Sequence, residues 1–241
     1  MNQQTSISSL DFDGDYGLQY RSSIRGSIAG YETFLELAAS SVKSQCQKAR
    51  HCLVIGPGAG EELTLLLQVL PKAQFTLVEP SEQMRSFCMK ELEKINATAR
   101  CSWIPSTLTK AREGLTAKSF DAVIALNLMH LFPPAEQIEA FDQLSSLVAP
   151  GGAMLLSSYS EDQNKLSNDL IVSIATERLR IRGLNEEQIK MILSARNQSV
   201  FSFDPINLPS NPKIKDLGVP LQIMQVGLIR MWLWIRASTG A

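Results

Sequence analysis

Cys52-Leu53-Val54-Ile55-Gly56-Pro57-Gly58-Ala59-Gly60-Glu61 is the stretch on which the reading of this chain turns. The short apolar run reads as a buried strand, and Glu62-Leu63-Thr64-Leu65-Leu66-Leu67 reads as the opening turns of a helix. Between them, three alternate glycines make a turn that no side chain crowds. Glycine belongs there because the backbone bends sharply and must let a ligand approach its N–H groups. A second apolar run, Phe75-Thr76-Leu77-Val78, closes on Glu79. A carboxylate at the tip of the second strand is placed to accept hydrogen bonds from both hydroxyls of a ribose. Turn and acid together imply a ligand that carries a nucleoside.

Spacing decides which nucleoside. A dinucleotide fingerprint would put its third glycine at position 61, where this chain has Glu61; its own pattern is Gly56-x-Gly58-x-Gly60. An acid at the mouth of a helix also sits badly beside a pyrophosphate. On these residues the chain resembles the class I S-adenosylmethionine-dependent methyltransferases. The resemblance implies S-adenosyl-L-methionine as cofactor, with Gly56, Pro57, Gly58 and Gly60 at its methionine portion and Glu79 and Pro80 at its ribose. It places Ser106 and Thr107 near the adenine, and Asn127 and Leu128 at the tip of the fourth strand beside the amino-acid end. Met84 reaches the cofactor or joins the core.

The chain departs from that pattern in three places. Val54 stands where the family usually has an acid, so Glu61 or the N-terminal segment is left to hold the cofactor's ammonium. Thr107 replaces an acid near the adenine. No Asn-Pro-Pro-Tyr or Asp-Pro-Pro-Tyr follows the fourth strand, which counts against nucleobase and glutamine amides as acceptors. Ile55–Glu61, Val78–Gln83 and Trp103 to Thr107 look like histamine-type small-amine N-methyltransferases. Gly30-Tyr31 and Leu126-Asn127 look like carboxy-S-adenosylmethionine synthase.

The 241 residues, 44% apolar and 20% charged, are enough for one domain with a sizeable core. A net charge of −1 leaves no electrostatic footprint for wrapping nucleic acid. Cys46, Cys52, Cys88 and Cys101 form no C-x-x-C pair and there are two histidines, so no metal site is expected and the thiols read as reduced. The N-terminus has no apolar core of a secretory signal, and Val219 to Ile235 is too interrupted to span a bilayer. The expectation is a cytoplasmic protein with a small-molecule substrate, no direct nucleic-acid or membrane contact, and an oligomeric state left open, a homodimer included.

Beyond the opening motif, strands are expected at 101–104, 120–126 and 153–158, the last introduced by the Pro150-Gly151-Gly152 turn, with helices at 81–95 and 135–148. Alternation of strand and helix predicts an α/β, Rossmann-like, seven-stranded, mostly parallel sheet with helices on both faces. Residues 1–14 read as a flexible N-terminus and 15–241 as a single domain. Helical segments over 163–182 and 185–196 form a lid insertion within 160–200, a short helix is expected near 213–217, and 220–226 and 228–235 pair antiparallel about Gly227.

Ligands in an open α/β sheet bind beyond the carboxyl ends of its strands. His130, near the tip of the fourth strand, is the candidate general base, against a packing role. Tyr16, Tyr20, Arg21, Tyr31 and Tyr159 are candidate substrate contacts, against simple packing. Arg178 and Arg182 share a face of the insertion and read as solvated. The expected activity is methyl transfer to a nitrogen or oxygen of a small molecule. A carboxy-S-adenosylmethionine synthase-like enzyme and a non-catalytic cofactor-binding scaffold are the alternatives.

Overall fold

Cys52 and Val54 pack on one side of a sheet, and Leu53 and Ile55 on the other. This two-residue period, apolar on both faces, is the signature of a strand covered on both sides. The computed structural model describes residues 10–208 and 217–238. Among them, β1 (His51–Ile55), β2 (Gln74–Val78), β3 (Cys101–Ile104), β4 (Phe120–Ala125), β5 (Val148–Tyr159), β6 (Leu221–Val226) and β7 (Ile229–Ile235) form one sheet. Its order is β3-β2-β1-β4-β5-β7-β6. The first five strands are parallel neighbours, while β7 runs antiparallel to β5 and β6.

Helices α2 (Tyr31–Gln45), α3 (Glu61–Val69) and α4 (Glu82–Lys94) cover one face through Phe34, Val42, Leu63, Leu66, Cys88 and Leu92. Helices α5 (Leu108–Arg112) and α6 (Pro134–Leu147) cover the other. There Phe141 and Phe203 meet Trp232 and Trp234, which share one face of β7 as their spacing requires. Helix α1 (Asp15–Ser27) precedes these, and α7 (Lys165–Ile181) and α8 (Glu186–Ser194) make up the insertion. Ser81 caps α4 by accepting the Met84 N–H at 3.0 Å. No helix among the described residues is long and apolar enough to cross a membrane.

Four expectations need correction. First, only residues 1–9 of the N-terminus lie outside the described residues; 10–14 are held in place. The Asp13 carboxylate accepts the Ser81 hydroxyl at 2.7 Å and the Gln83 N–H at 3.0 Å, and the Phe12 carbonyl accepts the Gln83 side-chain amide at 3.0 Å. Second, β5 starts at Val148, before the glycine turn, because Val148 pairs with Phe120 and the register then jumps, bringing Ala153 opposite Ala122. Third, β1 starts at His51, one residue before the apolar run from Cys52 that was read as the strand. Fourth, Arg178 is half-buried and not a free solvated side chain: its guanidinium donates to the Gly26 and Ser27 carbonyls at 2.8 and 3.2 Å, tying α7 to the end of α1. The short helix expected near 213–217 lies outside the described residues except for Leu217.

Candidate active site

Sheet order reverses direction between β1 and β4, and that switch point opens a crevice at the carboxyl ends of the strands. It holds a cleft with two lobes that share Tyr20, Gly56, Leu126 and Asn127. The larger lobe lies between Val78, Glu79, Pro80 and Met84 on one side and Leu128, Leu131 and Phe132 on the other, with Ser106 and Thr107 beside them. The smaller is walled by Tyr31, Phe34, Pro57, Glu61 and Glu62.

Glu79 joins the two motifs that opened the reading. Its carboxylate accepts the Gly58 N–H at 3.3 Å and the Ser81 N–H at 3.0 Å, and it is 6% exposed. Burial raises its pKa, against the pull of those two N–H groups. The acid is thus pre-aimed at the rim of the larger lobe by the glycine turn itself. Gly56, Gly58 and Gly60 all take positive φ (65, 51 and 82°), which explains the alternate glycines.

Eleven of the twelve expected cofactor contacts line the cleft: Gly56, Pro57, Gly58, Glu61, Glu79, Pro80, Met84, Ser106, Thr107, Asn127 and Leu128. Gly60 does not; it packs against Cys88, so its role is to let α3 and α4 approach. Of the expected substrate contacts, Tyr20 and Tyr31 line the smaller lobe. Tyr16 stays outside, edge-on to Phe12 and Tyr20. Arg21 is engaged by Glu61 and Glu91 at 3.1 and 2.8 Å. The Tyr159 hydroxyl meets Glu161 and Arg196, a cluster that fastens the end of α8 to β5.

Of its two readings, His130 takes the packing one rather than that of a general base. Its Nδ1 accepts the Tyr159 N–H at 3.3 Å, which leaves the ring proton on Nε2 and makes the imidazole a donor rather than a base. Burial lowers its pKa to about 4, so it is neutral at physiological pH. It does not line either lobe.

The insertion read as a lid does not line the cleft. No residue of 160–200 lines either lobe; Phe12 and Tyr20, from the N-terminal segment and α1, do. Glu61 clamps this cover by pairing with Arg25 at 2.7 Å as well as with Arg21, so its charge is committed to α1 rather than to the cleft. Reasoning from sequence missed Phe12, which fell in the stretch taken as flexible, and Glu62, the neighbour of the acid it chose. Gly17 is where the cover is tightest: a methyl there would run into the Phe12 carbonyl and the Gln83 amide. Gly17→Ala is expected to cost about 1–2 kcal/mol and to speed proteolytic cleavage near residues 10–16. Unchanged cleavage would mean that this segment is not packed as described.

Residues 52–152 match the family model described as a methyltransferase domain. Over 186 residues the chain is 23% identical to carboxy-S-adenosyl-L-methionine synthase of Marinobacter nauticus, covering 74% of this chain and 70% of that one. Among solved structures, magnesium protoporphyrin IX methyltransferase from Synechocystis, with S-adenosylhomocysteine bound, superposes with a TM-score of 0.62 at 15% identity, covering 95% of this chain and 97% of that one. An O-methyltransferase family protein from Burkholderia thailandensis gives 0.60 at 14% identity, with 86% of this chain covered; the chain spans 56% of that protein's length. Residues 52–152, which carry the glycine turn, Glu79 and Asn127, thus match a methyltransferase domain, and the chain shares the fold of these solved methyltransferases.

Proposed function

We propose that the protein transfers the methyl group of S-adenosylmethionine to a nitrogen or oxygen of a small molecule. The observation that carries this reading is Glu79, a buried carboxylate held by the glycine turn at the edge of an apolar lobe. Ribose hydroxyls suit the carboxylate, and Phe12, Val78, Met84, Leu108 and Phe132 suit a flat purine. Ser106 and Thr107 supply hydroxyls at the position where the adenine edge would lie. The cofactor brings a methyl on a sulfonium that leaves readily as a thioether. The protein's share is to align the acceptor with that methyl and to keep water out. The apolar walls and the α1 cover serve the second task.

The carboxy-S-adenosylmethionine synthase relative supports a second reading, in which the cofactor bears an extra carboxylate. That group asks for a cation. Among the described residues, the lining of both lobes contains no lysine, arginine or histidine, and Arg21 is engaged elsewhere. The wall therefore favours the plain methyl donor.

Calorimetric titration with S-adenosylmethionine and S-adenosylhomocysteine tests the reading. Glu79→Ala is expected to weaken either ligand by about 1–3 kcal/mol, roughly 5- to 150-fold, the scale of losing hydrogen bonds to a charged acceptor. A folded variant with an unchanged dissociation constant would remove the ribose assignment. Mass spectrometry of the purified protein separates the two readings, because a carboxylated cofactor carried through purification would promote the second.

A further inference from the structure

Asn127 follows β4 at φ 54°, in the left-handed region that asparagine enters more readily than most side chains. Ser157 on β5, fully buried, holds it there with one hydroxyl used twice. The Ser157 Oγ accepts the Asn127 N–H at 2.9 Å and donates its own proton to the Asn127 Oδ1 at 3.3 Å. Backbone and side chain of one residue are thus fixed by the same group. Turning the carboxamide over would set its hydrogens against an oxygen that already accepts an N–H, and would strip the buried hydroxyl proton of this acceptor. The Asn127 oxygen is therefore turned to β5, and the two hydrogens on Nδ2 are left for the cleft. Among the described residues, no group accepts them. Asn127 lines both lobes, and of the four residues that the lobes share only it and Tyr20 carry polar side chains. With no lysine, arginine or histidine in the described lining, an oxygen bound where the lobes meet finds its side-chain donors in that amide and the Tyr20 hydroxyl.

We propose that Ser157 is a positioning residue that presents the Asn127 amide hydrogens to an oxygen of the bound ligand. A carboxamide held this way offers the cleft hydrogens rather than lone pairs, so it serves a carboxylate or hydroxyl oxygen and not the N–H of an amine. The inference deepens the reading above and rests on it for the first of two sources of that oxygen, the carboxylate at the amino-acid end of the cofactor. The second source is an oxygen of the methyl acceptor. Either way, a donor whose direction is fixed beforehand needs no reorganisation when the ligand arrives, and Ser157 supplies that fixing.

The test is a double-mutant cycle read with ligands that differ only at the oxygen. S-adenosylhomocysteine and its decarboxylated analogue share nucleoside, thioether and ammonium, but only the first has a carboxylate. Both are titrated into the wild type, Ser157→Ala, Asn127→Gly and the double variant. Glycine takes φ 54° without strain, so Asn127→Gly removes the carboxamide and keeps the backbone. If the cofactor is the source, each single variant binds S-adenosylhomocysteine about tenfold more weakly and the analogue within about twofold of wild type. In the Asn127→Gly background, Ser157→Ala then has no further effect. A purely structural role for Ser157 would weaken both ligands, and would do so again in the glycine background. 4-Ethylphenol and 4-ethylaniline, titrated with S-adenosylhomocysteine present, form the second arm. Loss of only the phenol in the variants assigns the oxygen to the acceptor. Equal losses for ligands with and without the oxygen, additive losses in the double variant, or no loss in either arm overturn the proposal. Failure of the wild type to bind any nucleoside overturns the cofactor reading instead, and the phenol arm, run without nucleoside, then decides this one.

A spectroscopic measurement on the wild type guards against a misfolded Ser157 variant. The Asn127 side-chain amide gives a pair of nitrogen-correlated proton signals, identified by their loss in Asn127→Gly. Saturation with S-adenosylhomocysteine, or with the phenol where that arm is positive, is expected to move the pair downfield, as for amide hydrogens that gain an oxygen acceptor. The ligand lacking the oxygen is expected to leave the pair near its ligand-free position. In Ser157→Ala the downfield movement is expected to shrink, because the carboxamide is then at liberty to turn. A wild-type pair that stays in place with every ligand that binds would sink the proposal.

Discussion

From about pH 5 to about pH 9, the ligand-free wild-type protein is expected to lose about 4–5 kcal/mol of stability relative to Glu62→Gln. Burial and two neighbouring acids raise the Glu62 pKa from 4.5 to about 8. In the unfolded chain the same carboxyl ionises near its ordinary value. Between those two values the unfolded state binds fewer protons than the native state, so stability falls as pH rises and levels off above about 8. Glutamine holds no titrating proton, so the variant lacks this slope. Set against a typical total of about 5–15 kcal/mol, the loss is large enough to follow by urea denaturation at a series of pH values. Parallel curves for the two proteins would show that Glu62 is not held by burial between two acids. His130 marks the other flank with the opposite sign. Its native pKa, lowered to about 4, favours the fold above the ordinary histidine value, and that contribution is lost as pH falls from about 6.5 through 4.

Gly60→Ala is expected to cost about 3–5 kcal/mol. Gly60 is the N-cap of α3 at φ 82°, in the left-handed region where a side chain costs about 1–2 kcal/mol. The larger part is steric. A β-carbon there would lie 2.5 Å from the Cys88 Sγ and 3.2 Å from the Cys88 Cα. Cys88 is fully buried on α4, so neither helix can yield without opening the contact beneath the glycine turn. Gly60→Ala combined with Cys88→Ala removes the sulfur and is expected to recover part of the loss, leaving the backbone contact and the φ cost. Gly227→Ala is the control: its φ is 56° but nothing lies within 4 Å of the added methyl, so about 1–2 kcal/mol is expected. Equal effects of Gly60→Ala and Gly227→Ala on the denaturation midpoint would mean that the α3–α4 approach is looser than described.

The strand, glycine turn and helix from Cys52 to Leu67, and the acid closing β2, were legible because each depends on local chemistry. Two-residue apolar periodicity makes a strand, alternate glycines permit successive positive φ values, and a carboxylate after a parallel strand lies at the sheet's binding edge. The antiparallel pair about Gly227 was legible for the same reason. The two adjacent acids after the turn were not separable in this way. Successive residues on a helix point about 100° apart, so which of Glu61 and Glu62, both in the cleft wall, has its charge met by α1 depends on how α3 rests on the sheet and on where Arg21 and Arg25 arrive. Phe12 joined the cleft wall because Asp13 and the Phe12 carbonyl meet the start of α4, seventy residues on in the chain (68–71 apart), and no local pattern encodes that meeting. Arg21, Tyr159 and His130 have the chemistry of site residues. Their partners Glu91, Arg196 and the Tyr159 N–H, brought in by packing of distant segments, turned them to structural tasks, with Glu161 joining Tyr159 from two residues along the chain. Local sequence thus determined the kind of site and the strand ends that carry it. Tertiary packing decided which charges remain free to face a ligand, because a charge is neutralised by whatever the fold places within a few ångströms of it, whatever its distance along the chain.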